Sequence, residues 1–159
     1  MSQHISIAST TCEHDHSGKS VSEQVNAARN ICEQQGERFT PLRAHIYELI
    51  VRADGPIKAY DLLEQLRPDR GSPKPPTVYR ALDFFARLGL VHRVEALNAY
   101  IACDHTHPGH IAEFFICERC DEVKETHAHN HENCAPDGFV ISSSVIEHYG
   151  MCQSCAQTA

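Results

Sequence analysis

Two Cys-x-x-Cys pairs, Cys117-Glu118-Arg119-Cys120 and Cys152-Gln153-Ser154-Cys155, stand 31 residues apart towards the end of the chain. A tight turn of this kind aims two thiolates at one point, and two such turns complete a tetrahedron. Zinc suits that geometry, with four sulfur ligands at about 2.3 Å and no redox activity of its own. The spacer exceeds the ~15 to 20 residues of common zinc ribbons, so strands and a helix have to fold between the pairs. A thioredoxin-like redox pair and two disulfides compete with this reading. A redox motif needs only one Cys-x-x-Cys, however, and no βαβ unit surrounds either pair. The spacing therefore predicts a structural zinc on Cys117, Cys120, Cys152 and Cys155, stapling the end of a sheet too slight to hold itself together.

These four belong to a total of 8 cysteines, with 12 histidines, in 159 residues. Cys12, His14 and His16 sit close together in a polar segment, residues 1–20, that reads as a flexible, solvated tail. The opening residues hold neither a basic segment nor an apolar run, and no stretch reaches the ~18 to 20 apolar residues that span a bilayer. The expectation is a cytoplasmic protein with no membrane partner, in a compartment that keeps thiols reduced. The net charge is −7, yet from Gly36 to Arg93 ten Lys/Arg face seven Asp/Glu, while the rest of the chain holds four against fourteen. Such asymmetry predicts two modules with different partners.

The elements that must position these groups follow from periodicity. Val25, Ala28, Ile31 and Cys32 recur at helical spacing from Ser22 onward, which makes Cys32 a core residue rather than a ligand. Thr40-Pro41 signals a second helix with a stripe of Leu42, Ile46, Leu49 and Ile50, stopped by Asp54-Gly55-Pro56. A third runs from Lys58 to Leu66 with Leu62, Leu63 and Leu66 inward. A fourth begins near Pro76, ends at Gly89 and buries Val78, Ala81, Leu82, Phe85 and Leu88. Thr77, Arg80, Asp83 and Arg87 lie on another side of it, with Tyr79 at the border. Two short strands, LVHRVE and AYIAC, complete a winged helix-turn-helix. Three further strands are expected at HIAEFFIC, DEVKET and FVISSSVIEHYGM. The predicted fold class is α+β: a tail over 1–20, a winged helix-turn-helix DNA-binding domain over 21–103, and a small αβ metal-binding domain over 104–159, to which the resemblance of the chain's motifs to a known family adds the role of dimerisation.

KPPTVYRAL at 74–82, CERC at 117–120 and CQSC at 152–155 resemble the ferric uptake regulator family of dimeric metal-responsive repressors, and most closely its zinc-uptake-regulator branch. AYDLLEQLR, LVHRVE and AYIAC fit that branch, and the similarity covers roughly residues 22–155. The resemblance implies that the fourth helix enters the DNA major groove, with Tyr79 and Arg80 as main contacts, Thr77 on the same face and Tyr60 approaching the backbone. It also implies a second, regulatory zinc at the hinge between modules, with ligands matching His92, Cys103, His110 and Glu125. His105 and His107 rival His110 within one loop. His127, His129 and His131 alternate as along a strand face and suggest an accessory site, and Cys134 reads as a free or semi-buried thiol. Where many family members carry a third-site histidine, this chain has Ser144, and its spacer before FVISSS looks short for a full dimerisation helix.

The function implied is a zinc-responsive repressor of zinc-uptake genes, with two zinc ions per chain, binding a palindromic double-stranded operator as a homodimer. A family regulator sensing iron or manganese is the alternative, against which the Cys103 thiolate argues. A zinc enzyme is remote: deaminase and HExxH signatures are absent, and no acid or base stands beside an open metal position. A zinc store would use the His-rich segments but would need neither TVYRAL nor a wing.

Overall fold

The computed structural model describes residues 19–53, 55–67, 73–103, 111–127, 136–141 and 144–158. Helix α1, Val21–Gln34, opens on a capping box: the Ser20 hydroxyl accepts from the Glu23 N–H, and the Glu23 carboxylate accepts from the Ser20 N–H at 2.6 Å. It buries Ala28 and Cys32 completely, and burial raises the Cys32 thiol pKa. Helix α2, Pro41–Arg52, starts at Thr40, whose hydroxyl accepts from the Arg43 N–H at 3.3 Å. Its buried face is Ile46, Tyr47, Ile50 and Val51, while Leu42 stays 39% exposed. The expected stripe is thus turned towards Tyr47, because that ring packs between Phe39 and Phe85, at centroid distances of 6.3 and 5.5 Å.

Helix α3, Ala59–Gln65, contributes Leu62 and Leu63, with Leu66 just beyond it. Helix α4, Pro75–Arg87, inserts Val78, Ala81, Leu82, Phe84 and Phe85 into the same core; Leu88 is only half-buried. Gly89 ends α4 at φ +68°, and a Cβ there would meet nothing within 4 Å. Any cost of Gly89→Ala is therefore conformational alone. Urea unfolding is expected to register a loss of about 1 kcal/mol, the left-handed penalty of a residue with a Cβ.

Strands β1, Val91–Val94, and β2, Ala99–Ala102, form an antiparallel hairpin in which His92 faces Ile101. Ile57 bridges to Tyr100 through two 2.8 Å backbone bonds, so the hairpin is pinned to the helices. The second unit is a three-stranded sheet of β3, Ala112–Cys117, β4, Val123–His127, and β5, Val145–Gly150, in the order β4-β3-β5. β3 pairs antiparallel with β4 and parallel with β5. A five-residue helix, α5, Gln153–Gln157, follows.

The last strand is shorter than expected. Residues 139–141 are irregular, with Phe139 65% and Val140 88% exposed. Pairing with β3 begins at Ala112↔Val145. A small apolar cluster of Val94, Ala112, Phe114 and Ile116, with Leu97, Ile101 and Val123 against it, joins the hairpin to the sheet. No helix among the described residues is long and apolar enough to cross a membrane.

Candidate metal centres and the basic helical face

The four paired cysteines converge. Cys117 closes β3 and Cys120 lies in the turn after it. Asp121, at φ 58°, reverses the chain so that the Cys117 N–H can donate to the Glu122 carbonyl at 2.9 Å. The parallel register sets Cys117 opposite Gly150 and so delivers Cys152 and Cys155 to the same end of the sheet. The Arg119 guanidinium binds the two halves together, donating to the Cys155 carbonyl at 3.1 Å and to the Thr158 hydroxyl at 3.2 Å.

All four sulfurs lie within 4.8 Å of one another, and Cys120 and Cys152 are 3.8 Å apart. Four sulfurs about 2.3 Å from one centre stand about 3.8 Å apart, so the cluster has the dimensions of a zinc tetrahedron. The electrostatics agree. Backbone N–H groups of Cys152, then Arg119 and Cys120, hold the Cys117 thiol down to about 6, whereas the thiols of Cys152 and Cys120 push Cys155 up to about 12. The first thiolate forms readily and the last does not, because four like charges in one spot need a cation between them. Four thiolates and a closed shell fit zinc.

A second cluster lies where the hairpin meets the sheet. His92 comes from β1, Cys103 directly follows β2, and Glu125 sits on β4. Their donor atoms lie within 4.8 Å of one another. Glu125 Oε1 is 3.6 Å from His92 Nε2 and 3.7 Å from Cys103 Sγ. The first distance is too long for a good hydrogen bond. Both approximate the edges of a mixed tetrahedron, about 3.4 Å for nitrogen to oxygen and about 3.6 Å for sulfur to oxygen. The site is sheltered: Cys103 is buried, and the side chains of His92 and Glu125 are 13% and 7% exposed. The Phe114 ring stands edge-on to His92 at 5.9 Å, and Phe114 faces Glu125 in the β3–β4 register. Phe114 was not singled out from sequence, although its inward phase in AEFFIC was readable.

His110 lies outside the described residues, as do its rivals His105 and His107. So do Cys12, His14, His16, His129, His131, Cys134 and the side chain of His127. Ser144 is half-buried just ahead of β5 and belongs to neither cluster. Among the described residues these two clusters are the only groupings of three or more His, Cys, Asp or Glu fit to hold a metal.

On the helical unit, Thr77, Tyr79 and Arg80 project from the first turns of α4, and Tyr60 is 72% exposed on α3. Thr77 and Arg80 share a concave surface with Arg38, Thr40 and Arg43 from the start of α2. Arg43 is fixed there, stacked 3.5 Å over the Phe84 ring and donating to the Arg38 carbonyl at 2.6 Å. Arg38 and Arg43 were missed from sequence; the positive balance of residues 36–93 was the available signal. Arg87 instead pairs with Glu37 at 2.8 Å.

Comparison with known proteins places these features in context. The sequence matches the ferric uptake regulator family over residues 34–155. It is 43% identical over 136 residues to the zinc uptake regulation protein of Escherichia coli K12, covering 82% of this chain and 80% of that one. A zinc uptake regulator complexed with zinc and DNA superposes with a TM-score of 0.79 at 41% identity, over 88% of this chain and 97% of the other. Holo XcZur gives 0.72 at 36% identity, over 87% and 99% of the two chains. Its apo form gives 0.51 at 35%, over 86% and 97%.

Proposed function

The chain belongs to the ferric uptake regulator family, and from that premise we propose that it is a zinc-responsive repressor of zinc-uptake genes. It is a regulator rather than an enzyme, as its relatives are. In this reading residues 21–103 read DNA, residues 104–159 pair two chains, and two zinc ions bind per chain in the cytoplasm. The four-cysteine knuckle is structural; His92, Cys103, Glu125 and His110 form the sensing site.

One observation carries the proposal: three donors from two different units meet within 4.8 Å. His92 and Cys103 travel with the hairpin, and Glu125 travels with the sheet. They can share an ion only in one relative pose of the two units. Zinc, when bound, supplies the positive charge that holds imidazole, thiolate and carboxylate together. Selection of that pose makes metal affinity and DNA affinity reciprocal. The Cys103 thiolate favours zinc over the oxygen- and nitrogen-preferring metals.

DNA contact is assigned to Thr77, Tyr79 and Arg80 on α4 and Tyr60 on α3, with Arg38 and Arg43 at the phosphates beside them. Pairing of two chains is assigned to the sheet. Among the described residues β5 is an edge strand of that sheet, and its Val145 and Tyr149, with Met151 just beyond it, remain 45%, 56% and 57% exposed. A two-fold protein then calls for a two-fold operator.

The test is a zinc titration that follows DNA binding while counting metal per chain, run on wild type and Cys103→Ser. Wild type is expected to bind two ions, the weaker tracking DNA affinity. Cys103→Ser is expected to remain a folded dimer with one zinc, and its zinc-induced gain in affinity, ~5- to 150-fold for couplings of this kind, is expected to vanish. A variant that still answers zinc in full removes Cys103 from the sensor.

A further inference from the structure

One contact that neither metal cluster uses ties the turn between β1 and β2 to β5. The backbone N–H of Glu95 donates to Glu147 Oε1 at 2.6 Å, across 52 residues of sequence. The second carboxylate oxygen of Glu147 accepts from the Tyr149 hydroxyl, so the acceptor is held on its own strand. The donor is held as well: Arg93 reaches Glu95 Oε2 at 3.3 Å and Asn98 Oδ1 at 3.1 Å, bracing the turn that presents the amide. Beside this bond runs the apolar joint of Val94, Leu97 and Ile101 against Ala112, Phe114 and Ile116. Apolar burial is non-directional and permits sliding. A short charge-assisted hydrogen bond fixes one alignment.

We propose that Glu147 is a positioning residue, a latch that holds the hairpin against the sheet and thereby sets the zinc concentration at which the protein responds. This rests on the reading that a metal at His92, Cys103 and Glu125 selects one pose of the two units. His92 lies three residues from Glu95 on the same hairpin, so latch and sensing site close the same joint. The apparent affinity for zinc is the intrinsic affinity scaled by the fraction of molecules already closed. A latch that raises that fraction lowers the zinc requirement without touching a ligand. Once zinc saturates, the joint is closed with or without the latch, and DNA affinity reaches the same plateau.

The experiment measures the weaker zinc site of the full-length dimer by competition with a buffered chelator. DNA binding is then measured at saturating zinc, using a duplex that wild type selects from a randomised pool. Glu147→Ala is expected to raise the zinc midpoint about tenfold, the scale of one hydrogen bond to a charged group. The four-cysteine zinc and the DNA plateau are expected to be unchanged. Glu147→Gln keeps an oxygen for the Glu95 N–H but loses the charge, and is expected to bring the midpoint part of the way back to the wild-type value. If Glu147→Ala disrupts the dimer, Glu95→Pro removes the donor from the hairpin side, leaves β5 intact, and carries the same expectation. An unchanged midpoint overturns the latch, and so does a lowered plateau at an unchanged midpoint. If instead wild-type DNA affinity ignores zinc, the sensing reading fails, while the directly measured midpoint still judges the latch.

Discussion

Cys152→Ser is expected to abolish the folded sheet and, with it, the dimer, while the helical unit survives. The two units differ greatly in what holds them. Among the described residues, nineteen buried side chains form the helical core, from Ala28 to Tyr100, whereas four form the cluster under the sheet. Three strands with so small a core need a staple, and structural zinc sites in small domains contribute roughly 10 to 16 kcal/mol of apparent binding energy at neutral pH. Serine removes one of the four thiolates; the residue-152 backbone N–H that donates to the Cys117 sulfur at 3.3 Å remains, so the loss is that of the ligand itself. Calorimetry is expected to show the helical transition alone, and size-exclusion chromatography a monomer. Chelation of wild type is expected to reproduce both results slowly. A zinc-free variant with protected β3 amides and an intact dimer contradicts a structural role for the knuckle.

Arg80→Ala is expected to be the most damaging change to operator binding that leaves metal content untouched. Arg80 is exposed on the first turns of α4, beside Thr77 and a cleft lined by Arg38 and Arg43. A guanidinium forked onto guanine is worth roughly 1 to 3 kcal/mol of discrimination, and a dimer presents it twice. The expected loss is about 2 to 6 kcal/mol in specific affinity, with little change in the slope of affinity against salt if the contact is to a base. Substituting Arg43, assigned to a phosphate, is expected to lower that slope instead. Anisotropy titrations at several salt concentrations separate the two. Retained specific binding by Arg80→Ala removes α4 from the groove.

The sequence discloses local features well and distant ones poorly, for a physical reason. The helix start at Thr40, the stop at Gly89 and the Cys-x-x-Cys turns are written in neighbouring residues, so caps, periodicity and spacing suffice to find them. Leu42 and residues 139–141 were misread because periodicity reports that a face is apolar, not what covers it. Tyr47 rather than Leu42 turns inward because Phe39 and Phe85 receive its ring. Phe139 and Val140 stay exposed ahead of a β3–β5 pairing that starts at Ala112↔Val145. His92, Cys103 and Glu125 have no local signature. Their grouping was an implication of family likeness, and the approach depends on how the hairpin packs on the sheet. Glu147 was invisible for the same reason, since its partner is a backbone amide, which leaves no mark in side-chain chemistry.

The parallel pairing of β3 with β5 carries a consequence for biosynthesis. Translation releases the helical unit first, then β3 and its antiparallel neighbour β4, while the second edge of β3 must wait for a partner strand that begins at Val145. Until that strand emerges, one edge of β3 stays unpaired, the kind of surface that invites aggregation or a chaperone. The helical unit is thus complete early, and the three-stranded sheet late. The segment that closes the sheet is also the one that brings the second cysteine pair to the first.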